Sequence, residues 1–222
     1  MPWKLCSPKV LKTNMAMDNK AVEIIQEAMQ IFQRFGIKSI SMEELARQLG
    51  VSKKTLYQFF ADKTELVEKV VLKIAEKQNC DFLKINNENL NALDELFRFY
   101  KAAHDMIKDH NPGLEFDLQR FYPTIFKKVR DSYRERMFES TVSNLNKGKA
   151  EGFYRQNFDT NIIAKLHMIR IEYLMHSDLV THDELHSEHF FNEVFKYHLH
   201  GILSFKGLEY IKLNYPDFAN IE

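Results

Sequence analysis

Lys53, Lys54, Thr55, Tyr57, Gln58, Phe59 and Lys63 crowd one short stretch of this chain, and together they suit a surface that reads nucleic acid. The Gln58 carboxamide matches the donor–acceptor pair on an adenine edge, and Lys53 or Lys54 suits the paired acceptors of guanine. An aromatic ring or the Thr55 methyl suits the methyl group of thymine. Such groups act together only if they leave one face of a helix while apolar residues anchor the other. Leu56 and Phe60 are spaced to be those anchors. The plain alternative is a solvated face on a small helical domain.

The surrounding residues, SMEELARQLGVSKKTLYQFFADKTEL from Ser41 to Leu66, favour the reading face. Ala46 is small where a second helix has to cross closely. Gly50 follows where a turn needs a positive φ, and Leu56 falls under the second helix. Ser41 with Glu44 forms a capping box that starts a helix at Met42, burying Met42, Leu45 and Leu49. Ser52 caps the second helix, Lys53 to Phe60. Asp62 with Glu65 opens a third from Lys63. The pattern is a helix-turn-helix. Upstream, Ala21, Ile24, Ala28, Ile31, Phe32 and Phe35 recur at helical spacing until Gly36 stops them.

The run GVSKKTLYQFFADKTEL resembles the signature of the TetR (tetracycline repressor) family, and the match extends over roughly residues 18–75. EGFYRQNFD at 151–159 and HGILSFKG at 200–207 are similar to weaker patterns of that family. Lys54 departs from it, standing where many members carry a small residue. The resemblance implies that Ser41, Tyr57 and Lys63 hold phosphates, and it counts Ser52 among the DNA-contacting residues. It also implies a homodimer on double-stranded DNA with a palindromic operator, released by a small organic effector and most often acting as a repressor. No cofactor and no catalytic residue is implied.

Composition narrows the fold and the function classes. Only seven Gly and five Pro, with no sustained two-residue alternation, point to an all-α protein. Net charge is zero, yet residues 1–80 carry +4 and the remainder −4, which fits a basic reading head on an acidic body. Cys6 and Cys80 are too few and too widely spaced for a disulfide framework or a zinc motif, so free thiols in a cytoplasmic protein are expected. No apolar run approaches a membrane span. The organisation expected is a disordered arm over 1–17, with Met15 and Met17 as alternative starts. A three-helix DNA-binding domain over 18–63 and a connecting helix over 64–81 come next. A larger helical domain over 82–222 serves ligand binding and dimerisation.

Within that body, Leu93, Leu96, Phe97, Tyr100, Ala103 and Ile107 mark one amphipathic helix ending at Pro112-Gly113. Pro123 opens a long helix that Gly148 and Gly152 terminate, and Asp159 caps the next. A final helix is expected from about Glu188 to Leu213. Its stripe, including Phe191, Phe195, His198 and Ile202, is assigned to the dimer interface because the family pairs its last two helices, although packing inside one protomer would serve equally. Tyr100, His104, Phe116, Phe121, Tyr133, His167, Arg170 and Tyr173 are the candidate effector-lining residues, with ordinary core as the competing assignment. His182, His186 and His189 beside Asp183, Glu184 and Glu188 invite a metal, but without a metal-binding spacing a hydrated loop is favoured. An enzyme built on the helical body, or a constitutive DNA-binding or interaction protein without an effector, is the alternative function. No phosphate loop or nucleophile elbow supports the enzyme.

Overall fold

The structure, a computed structural model, describes residues 15–108 and 111–219. The arm expected over 1–17 lies mostly outside them, but Met15–Met17 already belong to the first helix, α1 (Met15–Phe35). Next come α2 (Met42–Gln48), α3 (Lys53–Phe59), α4 (Lys63–Asn87), α5 (Ala92–Lys108) and α6 (Pro112–Phe121). The remaining elements are α7 (Pro123–Ala150), α8 (Thr160–His176), α9 (His182–Leu185), α10 (Glu188–Ile202), α11 (Phe205–Asn214) and a 3-10 turn at Pro216–Phe218. The one β feature among the described residues is an isolated antiparallel bridge between Tyr154 and Leu203. The all-α expectation holds.

The chain divides into two compact units. The first runs to Cys80 and takes in Asn111–Asp131; the second comprises Asp81–His110 and Ser132–Glu222. This differs from a single domain over 82–222, because Leu118 of α6 and Ile125 of α7 share the core of α1 to α4. That core is built on Ile24, Ala28 and Phe32 of α1 with Leu45, Ala46, Leu56, Leu66 and Val70, all buried. Phe35, placed on the buried face by its spacing, is exposed instead. Fully burying a leucine such as Leu56 is worth about 1.5–3 kcal/mol.

In the second unit α5, α7, α8, α10 and α11 enclose Leu93, Phe97, Leu145, Tyr154, Ala164, Phe195, Leu199 and Ile211. A polar network crosses its centre. Asn144 donates to Glu95 (3.0 Å) and to the Ala92 carbonyl (2.9 Å), Tyr154 donates to Asn144 (2.9 Å), and Lys147 pairs with Glu95 at 2.6 Å. Each buried polar group in it thereby has a partner, which is the condition for such a network to be tolerated.

The two weaker sequence patterns prove to be one structural unit. Arg155 N donates to the Ile202 carbonyl and Ser204 N to that of Phe153, each at 2.9 Å, which locks 151–159 against 200–207. Gly207 permits this, because a Cβ there would lie 2.2 Å from the Phe153 carbonyl oxygen. Gly148 plays the same part rather than ending α7, which continues to Ala150: a Cβ at Gly148 would lie 2.1 Å from the Tyr154 ring. Gly152, at φ +79°, makes the stop. The single last helix expected from Glu188 to Leu213 is two, broken at Leu203–Ser204 by this locked turn and by the Ser204 cap of α11.

Candidate nucleic-acid interface

α2 and α3 meet through a turn whose geometry the sequence prescribes. Ser41 Oγ accepts from Glu44 N at 3.1 Å and starts α2. The reciprocal half of the capping box is missing, since the Glu44 carboxylate accepts from Arg47 and Gln48, and the Arg47 guanidinium holds its pKa below the usual carboxylate value. Leu49, expected inside α2, is its C-cap and only half-buried. Gly50 then takes φ +65°. Val51 N bonds the Ala46 carbonyl (3.0 Å) and Gly50 N that of Arg47 (3.2 Å), the paired bonds of a Schellman ending. The glycine is required by its backbone angle and not by crowding, because a Cβ at Gly50 would meet nothing within 4 Å.

Ser52 Oγ accepts from Thr55 N at 3.0 Å to start α3, and its hydroxyl pairs with that of Thr55 at 2.7 Å. Leu56 is fully buried beneath α3 and Phe60 closes its far end. Lys53, Lys54, Tyr57 and Gln58 are left exposed on the outer face. Lys53 lies 3.3 Å from Glu43 of α2 in an exposed pair, which is worth little and is readily exchanged for a phosphate or base.

Three residues assigned to the reading face do not stand free on it. Phe59 packs against the core and tilts on Phe60 at 6.4 Å, beside the two buried anchors Leu56 and Phe60. Thr55 is half-buried with its hydroxyl already shared. Lys63 donates to the Ile37 carbonyl at 2.6 Å, and partial burial lowers its ammonium pKa, with the Asp117 charge opposing that shift. Two further ammonium protons remain to it for a phosphate.

α6 supplies contacts that the sequence did not announce. Asp117 accepts from Lys38 N at 2.8 Å, and the Asn111 carboxamide donates to the Gln33 carbonyl while its oxygen caps α6. Asn111 before Pro112 is a legible helix start. The reach of Asp117 to Lys38 is not, since nothing local links positions so far apart.

The effector-lining candidates do not converge. Tyr100 and His104 join a closed aromatic stack with Phe191 and Phe195, where Tyr100 lies 4.0 Å from Phe195 and donates to Asn192. Burial pushes the Tyr133 phenol up to about 12. Phe116 and Phe121 are exposed on the first unit, and Tyr173 is exposed on the second. His167 and Arg170 form their own cluster with His198. Of the residues assigned to the dimer stripe, Phe195, His198 and Ile202 are buried within the chain and Phe191 lies in the stack, because α10 faces α5. Among the described residues no group of three or more His, Cys, Asp or Glu is placed to hold a metal ion, and the His182 side chain lies outside them. No helix of those residues is long and apolar enough to cross a membrane.

Comparison with known proteins agrees with this geometry. The family described as "Bacterial regulatory proteins, tetR family" matches residues 24–70, from the middle of α1 to the first turns of α4. The HTH-type transcriptional regulator YvaF of Bacillus subtilis is 32% identical over 100 residues, 45% of this chain, which spans only 52% of that relative. The HTH-type transcriptional regulator SAUSA300_2515 of Staphylococcus aureus is 30% identical over 147 residues, 62% of this chain and 76% of that relative. A solved transcriptional regulator from Cytophaga hutchinsonii shares the fold at a TM-score of 0.67, with 22% identity, over 84% of this chain and all of that one. An exposed lysine, tyrosine and glutamine face on a helix-turn-helix, with these likenesses around it, has one consistent reading: the chain belongs to the TetR family of non-enzymatic bacterial transcriptional regulators.

Proposed function

We propose that the protein is a homodimeric cytoplasmic repressor that binds a palindromic operator through α3 and leaves it when a small organic effector occupies the helical body. The observation that carries this reading is the outer face of α3, where Lys53, Lys54, Tyr57 and Gln58 stand exposed over a helix pinned by Leu56. Gln58 and Lys54 read base edges, and Tyr57, Ser41 and Lys63 set the register on phosphates. Repression is the mode that the family implies.

The dimer contact in this proposal is the outer face of α8 with α10. Ile162, Leu166, Ile169 and Tyr173 recur at helical spacing on α8 and are 56%, 56%, 62% and 60% exposed. On α10, Tyr197 is 80% exposed beside Gly201. An apolar stripe of this length on a surface helix calls for a partner, and a second copy supplies a two-fold matching stripe. Two-fold symmetry then presents two recognition helices to successive major grooves.

The effector response requires tighter binding to the DNA-incompetent arrangement, and about 1.4 kcal/mol of preference gives a tenfold change. α6 is the transmitting element in this reading, since Asp117 and Asn111 tie it to the end of α1. Selection of bound duplexes from a random pool, followed by sedimentation of the complex, tests the reading. A palindromic consensus bound by two chains supports it, whereas sequence-indifferent binding overturns it.

A further inference from the structure

A groove of about 1100 Å³ runs along the second unit between α8 and α10, bordered by the turn that carries Arg155. Ile163, Leu166, Tyr197 and Ile202 give it apolar walls, while His167, Arg170, His198 and His200 supply a polar floor. The chemistry of that floor is one-sided. The Arg170 guanidinium donates to His167 Nδ1 at 2.9 Å and reaches the Val194 carbonyl at 3.4 Å, and its Nε–H is buried with no acceptor. Since His167 accepts through Nδ1, its proton sits on Nε2, a further donor. The His198 ring lies tilted against that of His167, 4.5 Å between centroids, and His200 Nε2 is likewise buried without a partner.

Among the described residues no carboxylate of the groove answers these donors. Glu193, its one acidic lining residue, is taken by Lys196 at 3.0 Å. Arg155 spends its bonds on the Gly201 carbonyl and on Asn157. Arg170 is thus a half-sheltered fixed charge facing apolar walls, with donors around it and no anion. An uncompensated charge in such a place is costly, and the ligand that removes the cost is an anion with an apolar body.

We propose that the α8–α10 groove binds an amphipathic carboxylic acid, whose carboxylate is held by Arg170 with His167 and His198 and whose hydrocarbon lies along Ile163, Leu166, Tyr197 and Ile202. The site is separate from the Tyr100–His104 aromatic stack, so occupying it needs no rearrangement of that core. It deepens the proposed effector response and rests on that reading only for its regulatory consequence. A second copy packed on the ridges of α8 and α10 roofs the groove, which places the ligand where it can alter the pairing of two chains.

The test uses the full chain and decanoate, with methyl decanoate as the uncharged counterpart. Calorimetry is expected to show one decanoate per chain and at least tenfold weaker binding of the ester. Arg170→Gln is expected to erase that preference, while Tyr100→Phe, in the separate stack, changes affinity less than twofold. In the unmodified protein the imidazole resonances of His167 and His198 are expected to shift with decanoate and not with the ester, a readout independent of whether Arg170→Gln folds. Equal binding of acid and ester, or unmoved histidine signals, overturns the site. So does an Arg170→Gln chain that turns monomeric while the wild type ignores decanoate, since the second copy then supplies the missing acceptor. Decanoate that binds as described but leaves operator affinity unchanged retains the site and removes only its role as an effector.

Discussion

Asp117 of α6 accepts a hydrogen bond from the backbone amide of Lys38 at 2.8 Å, joining two positions 79 residues apart within the first unit. The carboxylate also fills the space beside Gly36, where a Cβ would lie 3.0 Å from its oxygen. One side chain therefore sets where α6 rests on the turn that leads into α2. Asp117→Ala is expected to destabilise the protein by about 1 kcal/mol, because the exposed Lys38 amide can turn to water. Asp117→Asn, which keeps an acceptor, is expected to recover most of that in urea denaturation. In operator titrations the alanine variant is expected to lose most of its effector response.

On the reading head, Lys63→Ala is expected to weaken binding on every duplex and to lower the salt slope by about one. Gln58→Ala is expected instead to relax preference at one position of each half-site, costing about 1–3 kcal/mol there. Phe59→Ala is expected to lower thermal stability without changing base preference, since Phe59 packs inward. Binding measured at several salt concentrations on a set of mutated operators separates the three.

Gly50 and Gly148 are both glycines, but for different reasons. Gly50→Ala is expected to cost about 1–2 kcal/mol from its left-handed backbone alone, because open space surrounds the new methyl. Gly148→Ala is expected to cost more, since the methyl would meet the Tyr154 ring at 2.1 Å and disturb the Asn144–Glu95 network beneath it. Denaturation midpoints of the two variants check the order.

Leu166→Asp and Ile169→Asp are expected to yield monomers of unchanged helical content, because both side chains are exposed in one chain. Phe195→Asp is expected to unfold the second unit instead, since Phe195 is buried against Phe97 and Tyr100. Sedimentation together with circular dichroism distinguishes the outcomes. A wild type that stays monomeric at micromolar concentration removes the dimer from the proposal.

Burial, reinforced by the Arg170 charge, holds the His167 imidazole down at about 3, and burial lowers His198 also, followed by the charges of His167 and Arg170. The folded chain therefore keeps both rings neutral while the unfolded chain takes up protons near 6.5. Stability is independent of these groups above that pH and falls as pH drops below it. For His167 the loss continues to about 3, at no more than about 1.4 kcal/mol per pH unit. Urea midpoints measured from pH 7.5 to 4.5 are expected to decline on the acid side, and His167→Gln is expected to reduce the slope.

The sequence alone determined whatever depends on neighbours along the chain. Ser41, Ser52, Asp62 and Asp159 cap the helices they precede, because a capping bond closes within three residues. Gly50 marks the turn because its positive φ is a local demand, and the signature around it was enough to recognise the family. Tertiary structure decided which face of each helix meets which neighbour. Periodicity finds an apolar stripe on α10 but does not say that α5 covers it, nor that α8 leaves Leu166 and Ile169 outward. The same limit hid the Asp117–Lys38 bond, the inward turn of Lys63 and the unanswered charge of Arg170. Each depends on groups brought together across long stretches of sequence, where only the packed core fixes distance.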